Sequence, residues 1–477
     1  MSYRSHARPR SRAAAAAVAL AVVAGGLLPA TVAASASETA RRPHQVAGVR
    51  TTGNLYGTKA VYEPFQDAST YHLPPVGYRP VLVEHVGRHG SRLLSSKKYD
   101  DLLLQLWEIA EADGGLTSLG ESFGDDLREI IAVHESVGYG ALSSRGAQEQ
   151  QGIAARTVDR MRPVFEDALD EGRPIDIVSS GVDRAVDSAD NFVLGLEDVE
   201  PDLSSVIQPQ AVDPDLLYFH DTDPDYLEYE ESEQLAAVED ELEQLPAIET
   251  ASRDVVGRLL TPEFVARLDA GEFDLVDRGK GEKHLRTVVD VASYLYELYV
   301  IAPGMEQDGA VDMTAYLPSG DAETFAYLSD AGDFYKKGPA FAGSDVTYRM
   351  AHVLVDAFLD SVEAVDAGED VPAAEFRFAH AEELVPLVAL LDLPGSTVQQ
   401  PVGDLFTYAN NPWRGAQVAP MAANLQWDVY VGPRGRTIVR MLYNERETAF
   451  AADCEPVRRG SFFYTAHELS RCLADVR

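Results

Sequence analysis

The feature that most constrains this chain occurs three times: a short run of mainly apolar side chains, β-branched in the first two cases and aromatic in the third, ends at a turn rich in polar residues. Pro80-Val81-Leu82-Val83-Glu84-His85-Val86 is the first such run, and Gly87-Arg88-His89-Gly90-Ser91-Arg92 follows at once. Ile175-Asp176-Ile177-Val178 leads into Ser179-Ser180-Gly181 and a helical pattern carrying Arg184, Ala189, Phe192 and Leu196. Glu375-Phe376-Arg377-Phe378-Ala379 ends in His380-Ala381-Glu382, with helical spacing over 384–391. Short apolar runs bounded by glycine and turn residues read as buried strands. Strands alternating with helices predict an α/β fold, a Rossmann-like sheet flanked by helices. Ligands of such sheets bind outside the strands' carboxyl ends, so the three turns hold the candidates for chemistry.

Helical spacing is expected over 97–112, broken at 114–119, and in one long helix over 143–164. An extended lead-in is expected at 56–62. Between Asp213 and Glu249 the chain has fourteen acidic residues and no Lys or Arg. Helical patterns at 255–268, 285–300 and 322–336 follow, then a further amphipathic helix at 346–362 and strands at 425–431 and 437–443. These signals predict a discontinuous α/β domain from 50–100, 140–220 and 346–477. A second, mostly helical domain from 101–139 and 221–345 is expected to be inserted over the sheet's carboxyl edge.

The chain has 477 residues, 45% of them hydrophobic, enough for a large core without staples. Lys+Arg 40 against Asp+Glu 77 leaves a formal charge of −37, which opposes sequence-independent adhesion to nucleic acid or an anionic membrane. An anionic substrate needs a locally basic pocket set against that field. Arg4, Arg8, Arg10 and Arg12 precede an apolar run at 13–28 and an A-x-A site at Ala34-Ser35-Ala36. That is the pattern of a signal peptide over 1–36, so the product is expected to be secreted. Its removal takes away four positive charges and no acidic ones, moving −37 to −41. Cys454 and Cys472 can form one disulfide, though spacing does not prove it, and Cys/His clustering for a metal is lacking.

Arg88-His89-Gly90-Ser91-Arg92 places two guanidiniums around one imidazole, with a glycine for tight backbone approach. Arginine forks match phosphate oxygens, and a histidine between them can carry a phosphoryl group covalently. Arg184, at a loop-to-helix junction, is a third clamp or a surface arginine paired to Asp183 or Asp187. His380 and Glu382 read alone as a packed strand-end histidine and a solvated helix start. Beside a histidine nucleophile, a carboxyl there can protonate a departing alkoxide and later deprotonate water.

Together these segments resemble the histidine acid phosphatase superfamily, and within it the multiple inositol polyphosphate phosphatase branch that includes secreted phytases. Arg88 to Arg92 matches the R-H-G-x-R signature. Leu142-Ser143-Ser144-Arg145-Gly146-Ala147-Gln148-Glu149, the Ser179-Ser180 to Arg184 and Ser188-Ala189 segment, and Tyr335-Lys336-Lys337-Gly338 are similar to further tracts. So are Gly57-Thr58-Lys59-Ala60-Val61-Tyr62, Ala419-Pro420-Met421-Ala422-Ala423-Asn424-Leu425 and Tyr443-Asn444-Glu445. His380-Ala381-Glu382 discriminates best, because other branches carry His-Asp there. The resemblance implies His89 as nucleophile, Arg88, Arg92, Arg184 and His380 as phosphate clamps, and Glu382 as proton donor. It also implies hydrolysis of inositol polyphosphates, phytate above all, through a phosphohistidine and without metal or cofactor. One departure is Leu93-Leu94, where the signature commonly has proline.

A polyphosphate needs cations beyond the first phosphate, which makes Lys59, Lys336 and Lys337 candidate substrate contacts and Lys280 and Lys283 weaker ones. Asp221-Thr222-Asp223-Pro224-Asp225 fails the calcium-loop test, with Tyr226 where glycine is needed and Ser232 where the bidentate Glu belongs. The acidic stretch reads as a solvated face and His220 as structural or rim. The rival readings are a broad-specificity acid or sugar phosphatase of the same fold and a non-catalytic anion-binding surface protein.

Overall fold

The apolar runs that end in polar turns form the parallel half of one mixed sheet. The structure, a computed structural model, describes residues 55–477 apart from Lys280, Glu282 and Ala310; the expected leader at 1–36 and Lys280 lie outside the described residues. In chain order the strands are β1 Arg79–Arg88, β2 Ile175–Ser179, β3 Ala211–Val212, β4 Leu275–Val276, β5 His284–Leu285, β6 Ala374–Ala379, β7 Asn424–Val431, β8 Thr437–Tyr443, β9 Arg446–Thr448 and β10 Phe463–Thr465. Eight of them make the sheet in the order β10-β8-β7-β1-β6-β2-β3, with β9 on β8, while β4 and β5 pair separately. Strands β1, β6, β2 and β3 are parallel neighbours. From β7 outward the pairing is antiparallel.

Alternation along the strands sorts side chains between the two faces. Leu82 and Val86 of β1 join Leu425, Trp427 and Val429 of β7 in a cluster with Leu354, Phe358 and Leu384. Val83, Phe376 and Phe378 face the other way, against Ile153, Val158, Ala189 and Phe192. Both faces are thereby covered with helices, as a parallel sheet requires. Within the sheet, Arg377 of β6 pairs with buried Glu84 of β1 and with Glu375, so the charges that interrupt the apolar runs neutralise one another.

A third cluster is built from Leu93–Val133 and Ile248–Ala326, the helical part of the chain. Tyr226, Tyr229, Leu235 and Leu242, placed by sequence with that part, pack instead with the sheet's cluster, together with Leu217 and Phe219 just before them. The acidic stretch is thus amphipathic helix: its carboxylates face water while tyrosines and leucines cover the sheet side. Asp223 caps the helix Pro224–Glu230 through the Asp225 and Tyr226 N–H groups, so the Asp-rich run serves a helix end.

Several element ends differ from expectation for local reasons. The helix expected over 143–164 ends at Arg160, and a second, Arg162–Glu171, starts with Pro163 in its first turn. Thr261 and Pro262 likewise divide 255–268 into Pro246–Leu259 and Pro262–Asp269. The helix expected from 285 starts at Val288, behind the Thr287/Asp290 capping box, and the one expected from 346 starts at His352. The lead-in is a 3₁₀ turn at Gly57–Lys59 rather than extended chain. The helix Ser118–Val137 had no sequence expectation beyond the break before it. Cys454 and Cys472 are joined in a disulfide. No helix among the described residues is long and apolar enough to cross a membrane.

Candidate active site

Register brings the three turns together. Arg88 pairs with Ala379 across β1 and β6, and Ser179 with Phe378 across β2 and β6, so the carboxyl ends of all three strands are level. The chain leaving them continues the ladder: His89 N–H donates to Ala379 O at 2.9 Å and Ser180 N–H to Phe378 O at 3.0 Å. His89, His380 and Ser180 therefore stand side by side at the edge.

The signature loop is tied down on every side. Buried Glu149 accepts from the Ser91 N–H at 2.7 Å, the Ser91 hydroxyl at 2.9 Å and the Tyr62 N–H at 3.0 Å. Gln150 Nε2 donates to Arg88 O at 3.0 Å, and Gly90 N–H to Ser188 Oγ at 3.1 Å. The close approach expected of Gly90 is to another stretch of this chain, the helix start at Gly146, where a Cβ would meet the backbone. Leu93 and Leu94, standing where proline is common, are buried in the helical cluster and anchor the loop's far end.

His89 is 2% exposed, and its Nδ1 lies 2.9 Å from Gly90 O. A carbonyl only accepts, so Nδ1 carries the hydrogen and Nε2 keeps its lone pair. Burial, then the charges of Arg88, Arg184 and Arg92, hold His89 well below the usual histidine range. The ring is neutral, the protonation state a nucleophile needs. Arg88 donates Nη1 to the carbonyls of Thr58 and Ala419, and Arg92 donates Nη1 to Leu93 O at 2.8 Å. The Nε–H groups of Arg88, Arg92 and Arg184 are buried and find no acceptor among the described residues. Charged donors without acceptors are costly to bury, and an anion's oxygens answer all three. Arg184 lies in the first turn of Asp183–Val199, where the helix end also favours an anion, and makes no ion pair with Asp183 or Asp187 among the described residues.

His380 sits 5.4 Å from His89, ring centre to ring centre. Ser180 Oγ lies 2.8 Å from its Nε2 and accepts from the Val182 N–H at 3.4 Å. Donation of the hydroxyl proton to Nε2 leaves Nδ1–H, buried and unpartnered, to serve an anion. Burial, then Arg184, pushes His380 down to about 3, so it acts as a neutral donor. Its backbone N–H donates to Glu383 at 3.0 Å, and Glu383 holds His220 Nδ1 at 2.6 Å. Sequence placed His220 at the rim or in a structural role; it braces the strand end.

Glu382 points to the same place but is not free. Its Oε1 is 2.7 Å from Lys337 Nζ, which also lies 3.1 Å from Asp333 Oδ1. Burial alone would raise Glu382, yet Lys337, His380 and His220 hold it well below the usual carboxylate range. The group implied as proton donor is thus a carboxylate in the free protein.

Residues 82–444 match the histidine phosphatase superfamily (branch 2). The chain belongs to that superfamily. Crystal structures of the multiple inositol polyphosphate phosphatase of Bifidobacterium longum are similar over nearly their whole length. The complex with inositol hexasulfate is 36% identical with a TM-score of 0.83, covering 89% of this chain and 98% of that one. The complex with phosphate is 36% identical with the same TM-score, covering 88% and 98%. A phytase from D. castellii, at 15% identity and TM-score 0.61 over 88% of this chain and 85% of its own, shares the fold. No curated protein matches the chain. This histidine phosphatase is accordingly a phosphoric monoester hydrolase, in the multiple inositol polyphosphate phosphatase branch.

The phosphatase's lysines divide. Lys336 turns away to Glu239, 2.8 Å distant at the surface, while Lys337 faces Glu382. Lys59 follows Thr58 in the 3₁₀ turn, near enough to Asp333 to help hold that carboxyl low, though burial opposes it. Thr58, Glu149, Ser180 and Asp333 were given no role from sequence. Thr58, Glu149 and Ser180 stand in tracts that carry the family resemblance, and Asp333 is signalled as an acidic residue four before Lys337 on one helix.

Proposed function

We propose that this phosphatase hydrolyses phosphomonoesters of inositol polyphosphates, phytate above all, through a phosphohistidine at His89, and that it is exported. The observation that carries the reading is the set of buried, acceptorless Nε–H groups of Arg88, Arg92 and Arg184 beside an imidazole whose Nδ1 is committed to Gly90. The Nε2 lone pair attacks phosphorus as the P–O bond breaks toward the inositol oxygen. Arginines and His380 meet the charge on the other phosphate oxygens, the larger part of catalysis in phosphoryl transfer. Glu382, after taking up a proton from solvent in the substrate complex, gives it to the leaving oxygen. Water then attacks phosphorus, the P–N bond breaks, the electron pair returns to Nε2, and the water's proton passes to Glu382.

Export is supported by the basic, apolar and A-x-A pattern of 1–36. The substrate class is supported by the 36% identity to the Bifidobacterium enzyme, crystallised with inositol hexasulfate. Purified protein should release phosphate from inositol hexakisphosphate, and His89→Ala should lose turnover while still binding phosphate. An acid quench during turnover should fail to preserve the protein-bound phosphate that an alkaline quench retains. Full activity in His89→Ala, or equal preference for simple sugar phosphates, would overturn the reading.

A further inference from the structure

Lys337, singled out from sequence as a substrate contact, is engaged on both sides by carboxylates. Its ammonium lies 2.7 Å from Glu382 Oε1 and 3.1 Å from Asp333 Oδ1, and its side chain is 13% exposed. The far oxygen of Asp333 accepts from the Thr58 hydroxyl at 2.8 Å, and the Thr58 carbonyl accepts from Arg88 Nη1. One chain of contacts therefore runs from a phosphate clamp to the carboxyl beside the leaving group: Arg88, Thr58, Asp333, Lys337, Glu382. Four separate segments meet in it: the end of β1, the turn Gly57–Lys59, the end of the helix Ser319–Lys337 and the start of the helix Ala381–Leu390.

Resting on the reading above, we propose that Lys337 is a positioning residue for the leaving-group step. Shared between Asp333 and Glu382, it orients the Glu382 carboxylate and sets how readily that group takes up the proton it gives to the departing alkoxide. Other groups also act on Glu382: His380 and Glu383 beside it in sequence, His220, Tyr218 and Tyr226 from the acidic stretch, and Arg88 and Arg92 from the signature loop. Among the described residues only Lys337 is hydrogen-bonded to the Glu382 side chain. The two partners of Lys337 then have opposite effects on it. Removing the ammonium makes protonation of Glu382 easier. Removing the Asp333 charge makes it harder, because a nearby negative charge is lost and Lys337 turns wholly to Glu382.

The test is the pH dependence of kcat/KM on inositol hexakisphosphate and on 4-nitrophenyl phosphate, whose leaving group needs no proton. With the inositol substrate, Lys337→Met should move the alkaline limb up by about one pH unit and Asp333→Asn should move it down by about as much. Lys337→Arg, which keeps the charge and both partners, should hold the wild-type profile. The limb on the aryl phosphate should stay in place in all three. Shifts in the same direction, unmoved limbs, or equal loss at every pH on both substrates would overturn the proposal. If Lys337→Met fails to fold, Asp333→Asn and Lys337→Arg still decide it. A wild-type protein that releases no phosphate defeats the functional reading; an active one with unmoved limbs defeats only this inference.

Discussion

Gly90 and Gly146 meet backbone to backbone. A Cβ on Gly90 would stand 2.5 Å from the Gly146 carbonyl oxygen, and one on Gly146 would stand 2.1 Å from the Ser91 carbonyl oxygen. Neither contact can relax by turning a side chain, because both partners are main chain. The loop carrying His89 is thereby pressed onto the start of the helix Ser144–Arg160, with Ser143 N–H donating to Ser91 O at 2.9 Å.

Gly146→Ala should therefore push the signature loop off its seat. Overpacking of this kind costs about 1–3 kcal/mol of stability, and a displaced nucleophile costs far more in rate, on the order of 100-fold per ångström. Thermal unfolding with kcat/KM on an aryl phosphate measures both. A variant with wild-type kcat would mean that the loop's position does not depend on this contact.

Ser180→Ala tests the tautomer of His380. Without the hydroxyl, Nε2 loses its partner and Nδ1 is no longer held as the donor. Loss of one such hydrogen bond, about 0.5–1.5 kcal/mol, should weaken inhibition by inorganic phosphate by about twofold to tenfold. Unchanged inhibition would remove Ser180 from the site's machinery.

Glu84 links pH to stability. Burial pushes its carboxyl up to about 7, against the lowering pull of Arg377, from an ordinary value of 4.5. Between those two values the folded state holds a proton that the unfolded chain has released. This contribution is full below pH 4.5 and is lost as pH rises toward 7. Denaturant midpoints measured from pH 5 to 7.5 should fall less in Glu84→Gln than in the wild type. Parallel curves would show that Glu84 is ionised throughout.

The formal charge of −37 predicts an unusual salt response for a polyanion's enzyme. Long-range repulsion is screened first as the Debye length falls below about 10 Å, while buried clamps at contact distance are screened least. Moderate sodium chloride should leave kcat/KM on inositol hexakisphosphate unchanged or raise it. A steep, monotonic loss from low to moderate salt would show attraction by surface lysines to dominate instead.

What the sequence by itself determined is what neighbouring residues decide. The runs at 80–86, 175–178, 375–379, 425–431 and 437–443 are strands because β-branched, aromatic and other apolar side chains at those spacings suit a buried pleat, and turn residues end them. Arg88, His89 and Arg92 stood out as candidates because they follow such an ending directly, whereas Arg184, His380 and Glu382 took their roles from the family resemblance, since alone they also read as a surface arginine, a packed histidine and a solvated helix start. Even the missed break at Met161 was local, written in Pro163. The tertiary structure alone decided the rest. Asp333 lies one helical turn before Lys337, but Glu382 stands on another helix, and only folding brings it to Lys337, turning a candidate substrate lysine into a carboxylate's partner. Thr58 acts on Arg88 through its carbonyl, a group every residue carries, so no side-chain pattern announces it. The acidic stretch gave its charge to any reader, but whether its tyrosines cover the sheet or the helical part depends on surfaces built elsewhere. Local periodicity reports which face of an element is buried; it holds no information about what that face will meet.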